Sequence, residues 1–218
     1  MKKIFLSLVI FSFIFLLAGC DITNCSNDPD EPVDYKPVLY LYPTEDINVN
    51  VILKNKNNLL TTYPKYNNGW NMFVKTNGDM YDEDGKYYYA LYWEEKRNDN
   101  FKFDEGFYVT KDNAISFLED KLSYIGLNDK EKNEFIMYWL PVLESNEKSL
   151  VKFELTDELQ SRSEIVINPK PESFIRIHIN IKKIDKKINI KEQDLIKYNR
   201  SGYTAVEWGG TIYWVLTI

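Results

Sequence analysis

The stretch YTAVEWGGTIYWVLTI, Tyr203 to Ile218, closes the chain and decides how the rest is read. Apolar and aromatic residues flank Gly209-Gly210, and both glycines reach positive φ at no steric cost. The stretch therefore predicts a tight hairpin, with one strand from Tyr203 to Trp208 and the other from Thr211 to the end. Pairing outward from a two-residue turn sets Glu207 opposite Ile212 and Ala205 opposite Trp214, while Val206 and Trp208 share the other face with Thr211 and Tyr213. A chain that ends this way is built on antiparallel sheet.

Working upstream, Ile175, Ile177, Ile179 and Ile181 alternate with Arg176, His178 and Asn180, a strand with one apolar face. Leu150 to Phe153, Glu164 to Ile167 and the pair Ile188 and Ile190 carry shorter strand signals. Between them and the N-terminal half the period changes. Ala114, Phe117, Leu118, Leu122 and Ile125 form a helical stripe that Thr110 can cap and Gly126 ends. A second helix starts at Asn128 with Glu131 three residues on, an Asn variant of the capping box, and Pro141 is expected to end or kink it.

The N-terminal half reads as a meander. Val38 to Tyr42 is a strand buried on both faces, and Ile47, Val49, Val51 and Leu53 alternate with polar residues. Trp70, Met72 and Val74 run into Asn77-Gly78, a preferred two-residue turn, and Asp84-Gly85 marks the next return before a strand from Tyr87 to Glu95. The expected fold is α+β, a mainly antiparallel meander or sandwich with a central pair of helices packed on the sheet.

Residues 1–36 stand apart. Met1-Lys2-Lys3, the apolar run Ile4 to Leu17 and Leu17-Ala18-Gly19-Cys20 have the layout of a signal peptide. The run is about 21 Å long as a helix, short of a hydrocarbon core of about 30 Å, so cleavage is expected over a permanent span. Leu17 to Cys20 resembles the lipobox of bacterial lipoproteins. That resemblance implies a leader at 1–19, a diacylglyceryl thioether on Cys20 as the first mature residue, and a cell-membrane location facing outward. Removing Lys2 and Lys3 takes the net charge from −6 to −8, so a bilayer partner is reached through lipid and not through charge. Residues 20–36 are acidic and broken by proline, a tether reaching roughly 20 to 25 Å. A single domain, 37–218, follows it. Cys25, inside the tether, has no intrachain partner once Cys20 is acylated, and is expected to be a free thiol over an intermolecular bridge.

Composition excludes several functions. An acidic chain does not neutralise a row of phosphates, so no nucleic-acid partner is expected. One His and two Cys leave no metal set and no cofactor motif. Asp79, Asp82, Asp84 and Gly85 suggest a calcium loop, but Met80 occupies the first ligand position. His178 would have to serve any Ser-His-Asp triad, and no Gly-x-Ser-x-Gly turn presents a nucleophile. Its polar neighbours Arg176 and Asn180 suit a solvated edge. The chain is too short and strand-rich for a two-lobed solute receptor.

The remaining candidates are carboxylates beside aromatics. Glu94, Glu95 and Glu207 are the possible acid and base of a glycan hydrolase, and apolar neighbours would make Glu207 the stronger acid candidate. Tyr87, Tyr89 and Trp93, on one face of their strand, and Trp208 are the binding candidates, as a stacking platform or as core.

The segments Lys36 to Pro43 (KPVLYLYP), Tyr87 to Glu94 (YYYALYWE), Asn133 to Asn146 (NEFIMYWLPVLESN) and Gly202 to Gly210 (GYTAVEWGG) together resemble an uncharacterised domain of Gram-positive lipoproteins and secreted proteins. The resemblance supports the lipoprotein reading and a boundary near Lys36, and implies no activity. The expected function is a lipid-anchored surface module, binding or structural and non-enzymatic, that touches an envelope glycan or a surface protein. The alternative is an envelope polysaccharide hydrolase.

Overall fold

Gly209 and Gly210 do not turn the chain. In the computed structural model, which describes residues 32–213, a single strand β12 runs through them from Thr204 to Tyr213. The glycines serve close approach instead. A Cβ on Gly210 would run into the Trp139 ring and lie 2.6 Å from the Ile179 carbonyl oxygen, and one on Gly209 would lie 3.1 Å from Pro37. The predicted hairpin is thus replaced by two long-range pairings, and Trp214, its expected partner for Ala205, lies outside the described residues, as do the leader, Cys20 and Cys25.

On one side β12 pairs antiparallel with β1 (Val33–Tyr42), and on the other it runs parallel to β11 (Ser173–Lys183). A parallel pair needs a crossover. Residues 184–203 supply it without the strand expected at Ile188 and Ile190. This connection is held by its own bonds: the Gln193 side chain brackets the backbone of Phe153, Tyr198 N–H donates to Ile125 O, and Arg200 pairs with Glu131.

Seven strands form the larger sheet, in the order β3 (Leu59–Tyr63), β7 (Leu91–Lys96), β1, β12, β11, β9 (Lys148–Leu155), β8 (Phe107–Thr110). The smaller sheet has five, β10 (Ile165–Asn168), β2 (Ile47–Leu53), β4 (Trp70–Val74), β5 (Met80–Tyr81) and β6 (Tyr87–Tyr88). The class is α+β, and every strand pair except β11–β12 is antiparallel.

The helices keep their sequence periods, but Thr110 caps a 3-10 turn, Lys111–Asn113, and Asn113 is the N-cap of the first helix. Helix α1 (Ala114–Ile125) buries Ala114, Leu118, Leu122 and Ile125, and ends at Gly126 with φ of 120°. Helix α2 (Asp129–Glu144) is capped by Asn128 and Glu131. It continues through Pro141 instead of ending there. Helix α3 (Thr156–Arg162) carried no apolar period and was not expected.

Alternation on the strands gives the larger sheet two different faces. Val38, Tyr40, the four isoleucines of β11, Val206 and Trp208 form one apolar cluster with the buried residues of α1 and α2. On the opposite face, Leu39, Leu41, Leu91, Trp93 and Ala205 join the inner residues of the smaller sheet in a second cluster.

Tyr87 to Glu95 is not one strand. It changes sheet at Tyr89-Ala90, β6 pairing with β5 and β7 with β1 and β3. That jog shifts the alternation, so Tyr88, Leu91, Trp93 and Glu95 are buried while Tyr87 and Tyr89 stay outside. The Asn77-Gly78 return is also longer than two residues: Lys75 and Asp79 form the closing pair, and Gly78 takes φ of 91°.

Candidate functional site

The start of β1 sets the site. The strand takes in Val33 to Lys36, expected in the tether, and a bulge between Tyr35 and Val38 breaks its register with both neighbours. At the bulge Lys36 has φ of 58°, a conformation disfavoured for a side chain and more so before proline. The bulge aims Lys36 along the outside of the sheet, where its ammonium lies 5.6 Å from the Tyr92 ring centre and 5.4 Å from that of Tyr138.

Two hollows meet at this lysine, sharing Lys36, Val38 and Tyr89. One, of about 460 Å³, is walled by Tyr63, Tyr87, Tyr88 and Tyr92. The other, of about 360 Å³, is walled by Glu134, Met137, Tyr138 and Trp208. Spacing on α2 explains the second wall, since Lys130, Glu134 and Tyr138 recur every four residues on one side of the helix. Tyr63, Tyr87 and Tyr89 are each about half exposed, so their faces are available to a ligand. A larger open hollow of about 650 Å³ along β3 has Tyr66 as its single aromatic wall residue.

The carboxylates around the groove are engaged by phenols. Tyr40 donates a short hydrogen bond to Glu134, and Tyr88 donates to Asp82 at 3.0 Å. Burial first, and then Glu134, push the Tyr40 phenol far above its ordinary range, so it remains a donor. Burial and the neighbouring Glu94 do the same to Tyr92. Trp208 is buried, its ring 5.3 Å from that of Phe135.

The sequence candidates separate into three places. Tyr87 and Tyr89 line the groove, Trp208 forms part of its floor, and Glu94 lies at its edge beside Tyr92. Trp93 is core, 1% exposed and 6.1 Å from Trp70. Glu95 and Glu207, 4% and 1% exposed, lie inside the protein. Sequence reasoning missed Lys36, Tyr63, Glu134 and Tyr138 as site residues; the four-residue spacing on α2 was the signal available for the last two.

Glu95 and Glu207 belong to a buried polar array on the larger sheet, beyond the second apolar cluster. Glu207 meets Arg176 at 2.9 Å, not the expected Ile212 and Trp214, because β11 and not a hairpin arm is its neighbour. Arg176 also donates to Gln160 and to the Ser163 carbonyl, both on or beside α3. His178 is 1% exposed, which corrects the solvated-edge reading: its Nε2 lies 2.7 Å from Thr211 Oγ1 and 3.2 Å from Asp34. Arg97 and Arg162 clamp Glu154, and Arg162 also reaches Asp34.

Burial alone would raise the two central carboxyls. For Asp34 the charges of His178, Arg162 and Arg97 outweigh burial and hold it far below its ordinary value. For Glu154, Arg162, His178 and Arg97 do the same and bring it to about 2. At Glu95 the charges of Arg162 and Arg176 also lower the carboxyl, but they do not outweigh burial. Burial dominates there and Asp34 adds to it, so the carboxyl is pushed up to about 7 despite the bond from Ser163 Oγ at 2.6 Å. Removing one member of such an array leaves an uncompensated buried charge. Among the described residues no group of three or more His, Cys, Asp and Glu side chains is placed to hold a metal ion.

The uncharacterized protein in bglA 3'region of Butyrivibrio fibrisolvens is 37% identical to the chain over 82 residues, which are 36% of the chain and 84% of that protein. The chain belongs to the family of that protein. No family model matches the chain, and no solved structure matches it.

Proposed function

We propose that this is a lipid-anchored protein on the extracytoplasmic face of the cell membrane that binds an envelope glycan in the tyrosine groove, without turning it over. One observation carries the reading. All four segments that resemble the lipoprotein domain, far apart in sequence, supply a wall to the same hollow: Lys36 and Val38, Tyr89, Glu134 and Tyr138, and Trp208. Half-exposed tyrosine faces suit the apolar faces of sugar rings, while hydroxyls at the ring edges suit their polar rims. The layered arrangement expected from the sequence, a meander or sandwich with the helical pair on the sheet, belongs to this proposal as the rigid frame of the groove. The lipid on Cys20 would hold that frame at the membrane, where two acyl chains are needed for stable attachment.

A hydrolase that pairs Glu94 or Glu95 with Glu207 is disfavoured on access. An acid and its partner must both touch the scissile bond, and neither Glu95 nor Glu207 reaches solvent. The test is retention of the full-length protein on isolated cell wall. Wild-type protein is expected to be retained and Tyr89→Ala to be released. Equal retention of the two, or release of wall fragments by the wild type, would overturn the proposal.

A further inference from the structure

The outer face of the smaller sheet carries two rows of side chains. Strand register lines up Asn168, Asn50 and Asn71 across β10, β2 and β4 in one row, and Asn48, Phe73, Tyr81 and Tyr87 across β2, β4, β5 and β6 in the next. The residues between them along each strand point into the second apolar cluster, so these rows face out. A hollow of about 420 Å³ lies over them, walled by the four amides, by Phe73 and Tyr81, and by the acids Asp82 and Glu83. It shares no wall residue with either hollow of the tyrosine groove.

Sheet stability does not explain this combination. Asparagine is depleted in strands, yet four of them meet here on three neighbouring ones. Asn50 Nδ2 donates to Asn71 Oδ1 at 2.7 Å and Asn71 Nδ2 donates to Glu83 Oε1 at 3.2 Å, which fixes the direction of both amides. The side-chain amides of Asn48 and Asn168 bond to no described residue. Phe73 is 40% exposed, and among the described residues it meets neither a second ring nor a cation. Tyr81, by contrast, is held by Lys75, 5.0 Å from its ring centre, and by the Tyr87 ring at 5.8 Å.

A ligand for this hollow must offer an apolar face to Phe73, accept from amide N–H groups, and donate to the Glu83 carboxylate and the amide oxygens. An anion only accepts, so it would meet Asp82 and Glu83 with nothing to give them. An ammonium only donates and would leave the amide N–H groups unmet. A hydroxyl does both. Uncharged sugar rings combine hydroxyls at the rim with an apolar face, and match the hollow on each count.

We propose that this face is a second glycan site, separate from the groove and selective for uncharged hexose polymer. Phe73 stacks on a sugar ring, and the free amides of Asn48 and Asn168 bind its hydroxyls.

The experiment measures binding of the full-length protein to hydroxyethyl cellulose, galactomannan, carboxymethyl cellulose and gelatin by affinity electrophoresis. At least one of the two uncharged polysaccharides is expected to retard the wild type, and to bind about tenfold or more tightly than carboxymethyl cellulose. Phe73→Ser and the double variant Asn48→Ala/Asn168→Ala are each expected to lose about tenfold in that affinity. The double variant should melt as the wild type does, since neither amide has a partner in the fold, and Tyr89→Ala should bind the uncharged polymer normally. Failure of both uncharged polymers, tighter binding of the carboxymethyl polymer, binding of gelatin through the same residues, or wild-type affinity in either face variant would overturn the inference. Retention on isolated cell wall, repeated in excess soluble uncharged polymer to fill this face, should be lost in Tyr89→Ala and kept in Phe73→Ser. Loss in Phe73→Ser would merge the face with the groove and overturn their separation. Equal retention of Tyr89→Ala and wild type would bring down the groove reading and leave this one standing.

Discussion

Replacing Glu95 by Gln should flatten the dependence of stability on pH across the neutral range. In the native protein this carboxyl is raised from 4.5 to about 7 by burial, so it stays protonated where an unfolded glutamate has already ionised. For a raised acid the stabilisation is complete below pH 4.5 and is lost as pH climbs to 7. Each unit of difference is worth 1.36 kcal/mol, so this one group removes about 3 kcal/mol over that window. Gln keeps the size and the acceptor that Ser163 Oγ uses at 2.6 Å, and it cannot ionise. Urea unfolding of the full-length protein at half-unit steps from pH 4.5 to 8 measures the difference. The variant should match wild type at pH 4.5 and exceed it by about 3 kcal/mol at pH 7.5. Parallel stability curves would refute the placement of a neutral carboxyl in this array. Glu154 sets the opposite limb: it is depressed to about 2, so its contribution is present above pH 4.5 and is lost as pH falls through 2. The maximum of wild-type stability should accordingly lie near pH 5, set between these two carboxyls.

Other substitutions probe the frame and the anchor. Arg176→Met should cost about 3 to 5 kcal/mol by stranding Glu207, and adding Glu207→Leu should recover most of it in a double-mutant cycle; additive losses would show that the two side chains do not act as a pair. Gly210→Ala should lower stability by about 3 kcal/mol, because the new methyl meets Trp139 and Ile179, whereas Gly85→Ala, with open space around it, should cost about 1 kcal/mol for its positive φ. Calorimetry that ranks them the other way would favour a turn at Gly209-Gly210. Cys20→Ser should leave the protein unprocessed or released from membranes; normal processing and retention would refute the lipid anchor.

Three short-range signals held up because the deciding contacts lie within a few residues. The α2 cap needs only Asn128 and Glu131, the α1 stripe only its own period, and the isoleucines of β11 alternate whatever strand pairs beside them. Gly209-Gly210 failed for the complementary reason. A diglycine that turns and a diglycine that lets Trp139 and Pro37 come close are the same two letters, and the difference is supplied by residues about 70 and 170 positions away. The Tyr87 to Glu95 run failed because a change of sheet resets the alternation without leaving a trace in the residues themselves.

The site divides along the same line. Exposed tyrosines at Tyr87 and Tyr89 were legible as a possible platform, and the segments that wall the groove were visible as separate motifs. That these segments face one another, that Lys36 is bent into their midst, and that Glu95, His178 and Glu207 are buried and not solvated were decided by tertiary structure alone. Charge on a strand is read from sequence as contact with water, since burying an ion costs several kcal/mol. Here other ions meet that cost, 8 residues away for Glu154, 31 for Glu207 and 128 for Asp34, and these partners are brought together only when the strands and α3 are assembled.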